Sequence, residues 1–297
     1  VERVLDRADE FGGVASRDVQ KVPALRGRLV VNLFYEASTR TTSSFELAAK
    51  RLSADVISVR SVGSSVEKGE SFKDTVATLD AYDPAAIVVR HPRAGAARLM
   101  SDWTDASVIN AGDGAHAHPT QALLDAHTLR RRFGSIEGMS VWIVGDVAHS
   151  RVARSTAAAL GLLGARVTLC GPPTLMPPMI GMALGCDVTN SLEGLAGADV
   201  VYALRMQHER MAGGDVPSLR EYARRYRIGL ERMTPDQVLM HPGPVNRGVE
   251  VTGAAVDSPA SLIKQQVSAG IAVRMAVLYE AVAASESTPT QLREVAA

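Results

Sequence analysis

Two cysteines in 297 residues are too few for a disulfide framework, and Cys170 and Cys186 sit among small apolar residues with no CxxC pair. That pattern favours buried thiols in a reducing compartment over a structural disulfide or a zinc site. Net charge is missing as well. Lys plus Arg and Asp plus Glu are both 32, so no overall field draws the chain to nucleic acid or to an anionic membrane. No apolar run of membrane-spanning length is apparent, and no basic segment followed by a hydrophobic stretch opens the chain. The expected location is the cytoplasm. The GxGxxG fingerprint is absent too: Gly145-Asp146-Val147-Ala148-His149-Ser150-Arg151 only superficially resembles a dinucleotide turn, so a nicotinamide has little support and no cofactor is expected.

What is present reads as alternating strands and helices. Val1, Val4, Leu5, Ala8 and Phe11 share one helical face, and with no initiator methionine the chain is expected to begin inside a helix. The β-prone run from Leu29 to Phe34 stops abruptly, and Ser38 opens a segment whose Phe45, Ala48, Ala49 and Leu52 recur at helical spacing. Strands are predicted at 55–60, 85–90, 107–111, 140–144, 166–169, 199–204 and 237–240. Helices are predicted at 71–82, 95–103, 119–133, 152–163 and 218–226, with one long apolar helix at 261–283. Short, nearly all-apolar strands separated by helices specify an α/β fold with open parallel sheets covered on both faces. The length suits two domains, and the polar turn between Arg132 and Gly138 is the best boundary.

Ligands of open parallel sheets sit beyond the carboxyl ends of the strands, and those ends carry the chemistry here. After the first strand, Ser38, Thr39 and Thr41 add hydroxyls and Arg40 a fork of donors to the amides of a helix N-terminus, a volume suited to a phosphate. The alternative is a serine cap beside a surface arginine. Later strand ends supply Lys68 in a glycine- and serine-rich loop, Arg90-His91-Pro92, and Asp113 followed by His116, His118, Pro119, Thr120 and Gln121. Cations at successive strand ends favour an anionic ligand over chance surface charge.

His116, His118 and Asp113 invite a metal reading, but His-x-His brings only two nitrogens and the surrounding cations oppose a metal ion, so no metal is expected. His118, stiffened by Pro119 in the first turn of a helix, can instead present a neutral imidazole as a donor to a carbonyl oxygen. His91 and His116 can simply be solvated. Arg151 and Arg205 match carboxylates in bidentate geometry, with surface ion pairing to Asp146 and Glu209 as the alternative.

Ser38-Thr39-Arg40-Thr41, Lys68-Gly69-Glu70, Arg90-His91-Pro92, His118-Pro119-Thr120-Gln121 and His241-Pro242-Gly243-Pro244 together resemble the carbamoyltransferases, and among them the aspartate carbamoyltransferase catalytic chains. The resemblance runs from the first residues to the last helix. Ser-Thr-Arg-Thr is shared with the ornithine-specific relatives. Lys68, His-Pro-Thr-Gln in place of their usual His-Pro-Cys-Gln, and His-Pro-Gly-Pro in place of His-Cys-Leu-Pro separate this chain from them. One departure is Thr42, where the family commonly has a second arginine; it bears on local ion pairing or domain support rather than on phosphate contact.

The resemblance implies a carbamoyl-phosphate-binding domain at 1–134, completed by the C-terminal helix 261–285, and an aspartate-binding domain at 135–260, the two joined by interdomain helices. It implies carbamoyl transfer to L-aspartate in pyrimidine biosynthesis, with an ornithine-type enzyme or a non-catalytic relative as the alternatives. The implied catalytic set is Arg40, Thr41, Lys68, Arg90 and His118. Ser38, Thr39, Arg40, Thr41, Ser64, Lys68, Arg90, His118 and Gln121 would bind carbamoyl phosphate, and Lys68, Arg151, Arg205, Gln207, Gly243 and Pro244 would bind aspartate. Ser64 and Lys68 would enter from an adjacent subunit of a homotrimer with shared active sites. Regulatory or dihydroorotase-like chains are the further partners that the resemblance allows.

Overall fold

The computed structural model describes residues 1–60, 69–207, 216 and 218–287. By backbone packing the chain forms two compact units, residues 2–114 with 270 onward, and residues 115–269 with Val1.

The first unit runs α1 (Glu2–Gly12), β1 (Leu29–Phe34), α2 (Thr39–Arg51), β2 (Asp55–Arg60), α3 (Phe72–Asp80), β3 (Ala86–His91), α4 (Ala96–Ser101) and β4 (Ser107–Asp113). All pairings are parallel and the strand order is β2-β1-β3-β4. Successive side chains of a strand face opposite ways, and the core divides accordingly. Val30, Val88 and Ile109 pack with Phe45 and Ala48 of α2 and with Leu52 just after it on one face, while Val31, Leu33, Ile87 and Val89 meet Val76, Leu79 and Met100 of α3 and α4 on the other.

The second unit holds α5 (Pro119–Phe133), β5 (Ser140–Val144), α6 (Arg151–Leu162), β6 (Arg166–Cys170), α7 (Ile180–Leu184), β7 (Asp187–Thr189), β8 (Val200–Ala203), α8 (Leu219–Tyr226), β9 (Val238–Met240) and α9 (Gly253–Val256). Its sheet is again parallel, ordered β7-β6-β5-β8-β9. Trp142, Val144, Val201 and Leu239 pack with Tyr222 and Tyr226 of α8 on one face. On the opposite face the Tyr202 hydroxyl reaches Asp125 of α5, as does Thr156 of α6. The division between the units falls at 114/115, so α5 groups with the second sheet beside α6.

The last helix, α10 (Ile263–Ser287), contributes its first residues to the second unit and its remainder, from Gly270, to the first. Its Met275, Leu278 and Val282 join the α2 face of the first sheet, and Glu280 accepts from Arg3 at 2.9 Å and Arg7 at 3.1 Å in α1. Over Ile263–Ala284 this helix is long and apolar enough to cross a membrane by length and composition, a run the sequence reading did not register, and 44% of that window is buried within the protein. Val273, Ala276 and Leu278 of this helix are fully buried.

Candidate active site

In the first sheet the chain leaves β1 toward β2 on one side, and β3 lies on the other, so the order reverses between the carboxyl ends of β1 and β3. A crevice opens at such a switch point, and ligands of parallel sheets bind there. Both polar segments of this unit are placed at it. Tyr35 continues the pairing of β1 by donating to the Arg90 carbonyl at 2.8 Å, and the chain then turns through Glu36 and Ala37 into α2. Ser38 holds the N-cap position and accepts from the Thr42 amide at 3.0 Å through its carbonyl, while its hydroxyl makes no capping bond. Thr39 and Arg40 are exposed in the first turn, whereas Thr41 and Thr42 are buried. Arg90, half-buried, donates to the Ala111 carbonyl at 3.3 Å and lies 3.4 Å from the Glu36 carboxylate. These contacts place the guanidinium along the strand end.

His91 is not solvated. It is buried with its ring 4.8 Å from those of both Tyr35 and Phe72, and Trp103 extends the cluster 5.5 Å beyond Phe72. Its Nδ1 accepts from the Arg93 amide at 3.0 Å, and burial lowers its pKa, so it serves as neutral packing beneath the strand ends. Asp113 accepts from the Gly95 amide at 2.7 Å and the Asn110 side chain at 2.9 Å, which commits it to the turn. Among the described residues no group of three His, Cys, Asp or Glu could hold a metal ion. Cys170 and Cys186 are free thiols, and burial pushes Cys170 up to about 12.

The second sheet repeats the plan. Its order reverses between β5 and β8, and the loops after those strands carry Arg151, Arg205 and Gln207. The backbones approach closely: Gly145 sits at φ +135°, its amide bonds the Cys170 carbonyl at 2.8 Å, and a Cβ on Gly171 would lie 2.3 Å from the Gly145 oxygen. Glycine is therefore required at both strand ends. The fully buried Asp146 accepts from the His149 amide and ring and, at 3.2 Å, from the Gln207 amide, tying the two loops together. Arg205 donates to the Gln207 side-chain oxygen at 3.2 Å. Arg151, buried at the first position of α6, follows the capping hydroxyl of Ser150. Of the partners in the expected alternative, ion pairing with Asp146 and Glu209, Asp146 is bonded to His149 and Gln207, and Glu209 lies outside the described residues.

His118 is the N-cap residue of α5 with Pro119 next; its amide donates to Ser155 Oγ at 2.8 Å and its side chain is buried. His116 is exposed. Gln121 donates through Nε2 to Asp125 at 3.0 Å. In the 241–244 turn, His241 Nδ1 accepts from the Gly243 amide at 2.8 Å, so Nε2 carries the proton and donates to Glu250 at 3.2 Å. Gly243 has φ +65°, and the Gly243–Pro244 peptide is cis.

Two residues at this site were not singled out in the sequence. The Arg154 guanidinium reaches the carbonyls of Ala115, Val147, Ala148 and Ser150 at 3.0 to 3.2 Å, holding the loop that leads to Arg151, and burial lowers its pKa. Asp125 is fully buried and accepts from Gln121, Thr156, Tyr202 and Gln266. The position of Arg154 three residues after Arg151 was its one visible signal. Ser64 and Lys68 lie outside the described residues.

Two parallel sheets with guanidinium, hydroxyl and amide groups at their switch points define a two-domain α/β enzyme class. Residues 1–131 match the family model for the aspartate/ornithine carbamoyltransferase carbamoyl-P binding domain, and residues 137–281 match its Asp/Orn binding domain. The chain belongs to the aspartate/ornithine carbamoyltransferase family. It is 57% identical over 283 residues to the aspartate carbamoyltransferase catalytic subunit of Salinispora arenicola, covering 93% of this chain and 92% of that one. It is 55% identical to the Thermobifida fusca catalytic subunit, covering 93% and 89%. Among solved structures, the M. Jannaschii aspartate transcarbamoylase catalytic subunit is 36% identical with a TM-score of 0.84, covering 96% and 94%. The Trypanosoma cruzi aspartate transcarbamoylase, in complex with carbamoyl phosphate and aspartate, is 31% identical with a TM-score of 0.83, covering 93% and 91%.

Proposed function

We infer that this chain transfers the carbamoyl group of carbamoyl phosphate to the α-amino group of L-aspartate, giving N-carbamoyl-L-aspartate and phosphate, a step of pyrimidine biosynthesis. The observation that carries the choice of aspartate is the identity above 50% over nearly the whole chain to catalytic subunits named for that amino acid. In this reading Ser38, Thr39, Arg40, Thr41 and Arg90 hold the phosphate, since a helix N-terminus and guanidinium groups suit a dianion. Thr41, Arg90 and His118 address the carbonyl oxygen and Gln121 the carbamoyl amino group. Arg151, Arg205 and Gln207, with the Gly243-Pro244 turn, receive the two carboxylates of aspartate.

The neutral amine attacks the carbamoyl carbon, the C–N bond forms as the C–O bond to phosphate breaks, and the departing phosphate takes the amine proton. Orientation and preorganised donors supply the rate, and His118 acts as a neutral donor to the growing oxyanion. A product assay with carbamoyl phosphate and either L-aspartate or L-ornithine tests the reading: carbamoyl-aspartate is expected, and product with ornithine alone overturns it.

The working form in this reading is a cytoplasmic homotrimer in which Ser64 and Lys68 of one subunit complete the site of the next; the free thiols support the compartment. Inactive Lys68→Ala and His118→Ala chains, refolded together, should regain activity at interfaces where intact Lys68 meets intact His118. Verified mixed trimers that stay inactive overturn the shared site.

A further inference from the structure

Asp125 is a fully buried carboxylate that the reaction does not use. Its Oδ1 accepts Gln121 Nε2 at 3.0 Å and Gln266 Nε2 at 2.7 Å; its Oδ2 accepts Tyr202 Oη at 2.8 Å and Thr156 Oγ1 at 3.0 Å. An ionised carboxylate only accepts, so each glutamine turns its NH2 end toward Asp125 and its oxygen away. For Gln266 the consequence is visible, because Oε1 accepts the His241 amide at 3.0 Å and so secures the start of the His241-Pro242-Gly243-Pro244 turn. For Gln121 the same rule makes Oε1 the end offered outward, an acceptor suited to an amino group.

We propose that Asp125 is a positioning residue that fixes the side-chain amide of Gln121, so that its oxygen, never its NH2, meets the amino group of the carbamoyl substrate. This rests on the assignment of Gln121 to that amino group. A glutamine free to turn would present NH2 to NH2 for part of its time, and substrates bearing the amide would lose their advantage over those without it. A helix-surface glutamine has no such constraint; here the four donors and the surrounding core hold the acceptor in one place.

Calorimetric titration with phosphonoacetamide, which carries the amide, and with inorganic phosphate, which does not, tests this without relying on turnover. In the unaltered protein the amide-bearing ligand binds more tightly. Gln121→Ala should lower that preference about tenfold, the scale of one lost hydrogen bond in a desolvated site. Asp125→Leu keeps the branched shape, removes the acceptor, and should lower the preference by a similar factor with phosphate affinity unchanged. Asp125→Asn should restore it, because its oxygen can face both glutamines while its NH2 donates to the Tyr202 and Thr156 hydroxyls, which reverse to accept. Adding Asp125→Leu to Gln121→Ala should cost nothing more. If Gln121→Ala loses the preference and Asp125→Leu keeps it, the positioning role is wrong; if Gln121→Ala keeps it, the underlying assignment of Gln121 is wrong and the proposal falls with it. Where Asp125→Leu does not fold, the unaltered protein still decides: its Gln121 side-chain NH2 protons should exchange slowly with solvent by NMR. Exchange as fast as that of surface glutamines overturns the proposal.

Discussion

Replacing Asp125 with asparagine removes a charge while preserving shape, and the stabilities of the two proteins should separate with pH. Burial raises the Asp125 carboxyl from 3.8 to about 6, with hydrogen bonds from Gln266, Tyr202, Thr156 and Gln121 acting in the opposite direction. The folded chain therefore holds this proton more tightly than the unfolded chain does. Stability from that difference is fully present below the unfolded value near 3.8 and is lost as pH rises through about 6, a change on the order of 3 kcal/mol. Asparagine does not titrate, so its stability advantage over the wild-type chain should grow by that amount between about pH 4 and pH 8. The assay is urea unfolding followed by circular dichroism, both proteins side by side at five pH values, since every other titrating group cancels in the difference. A gap that stays constant, or that shrinks as pH rises, would mean that the four donors outweigh desolvation, and the reasoning would fail.

Gly171→Ala should lower stability by at least about 2 kcal/mol, read as a fall in the urea midpoint, because the new Cβ would lie 2.3 Å from the Gly145 oxygen. Arg154→Ala should cost about 2 to 4 kcal/mol by the same measurement, since four carbonyls each lose the guanidinium as a donor. Lysine there should recover only part, an ammonium being unable to span the same carbonyls. Arg205→Ala should raise the aspartate KM roughly tenfold to a hundredfold and leave phosphate affinity unchanged in calorimetry. Equal weakening of both ligands would assign Arg205 to the fold.

Elements with a strong apolar pattern were legible in the sequence. The run Leu29–Phe34 is buried almost throughout, and the helical spacing of Phe45, Ala48 and Ala49 marks the face that α2 turns to its sheet. β7 was not anticipated because its three residues lie at the sheet edge with two exposed, and α7 and α9 are too short to show a period. The donor-rich turn at Ser38 to Thr41 could be read because strand, turn and helix are contiguous. The nearness of the Arg151 and Arg205 loops could not, since it depends on β8 lying beside β5. Asp125 was hidden for the same reason: Thr156, Tyr202 and Gln266 converge on it from 31, 77 and 141 positions away. His91, a loop histidine by sequence, became a core residue once Tyr35 and Phe72 closed around it.

The chain takes a phosphate-bearing carbamoyl donor together with a dicarboxylic amino acid. Calorimetric titration with N-(phosphonacetyl)-L-aspartic acid, which joins a phosphonate and both carboxylates in one molecule, is set against titration with the corresponding phosphonacetyl derivative of L-ornithine. The aspartate compound should bind at least a hundredfold more tightly, about the contribution of one charged hydrogen-bonded pair that the ornithine compound lacks. Equal affinity, or tighter binding of the ornithine compound, would contradict the assignment of Arg151 and Arg205 and with it the proposed reaction.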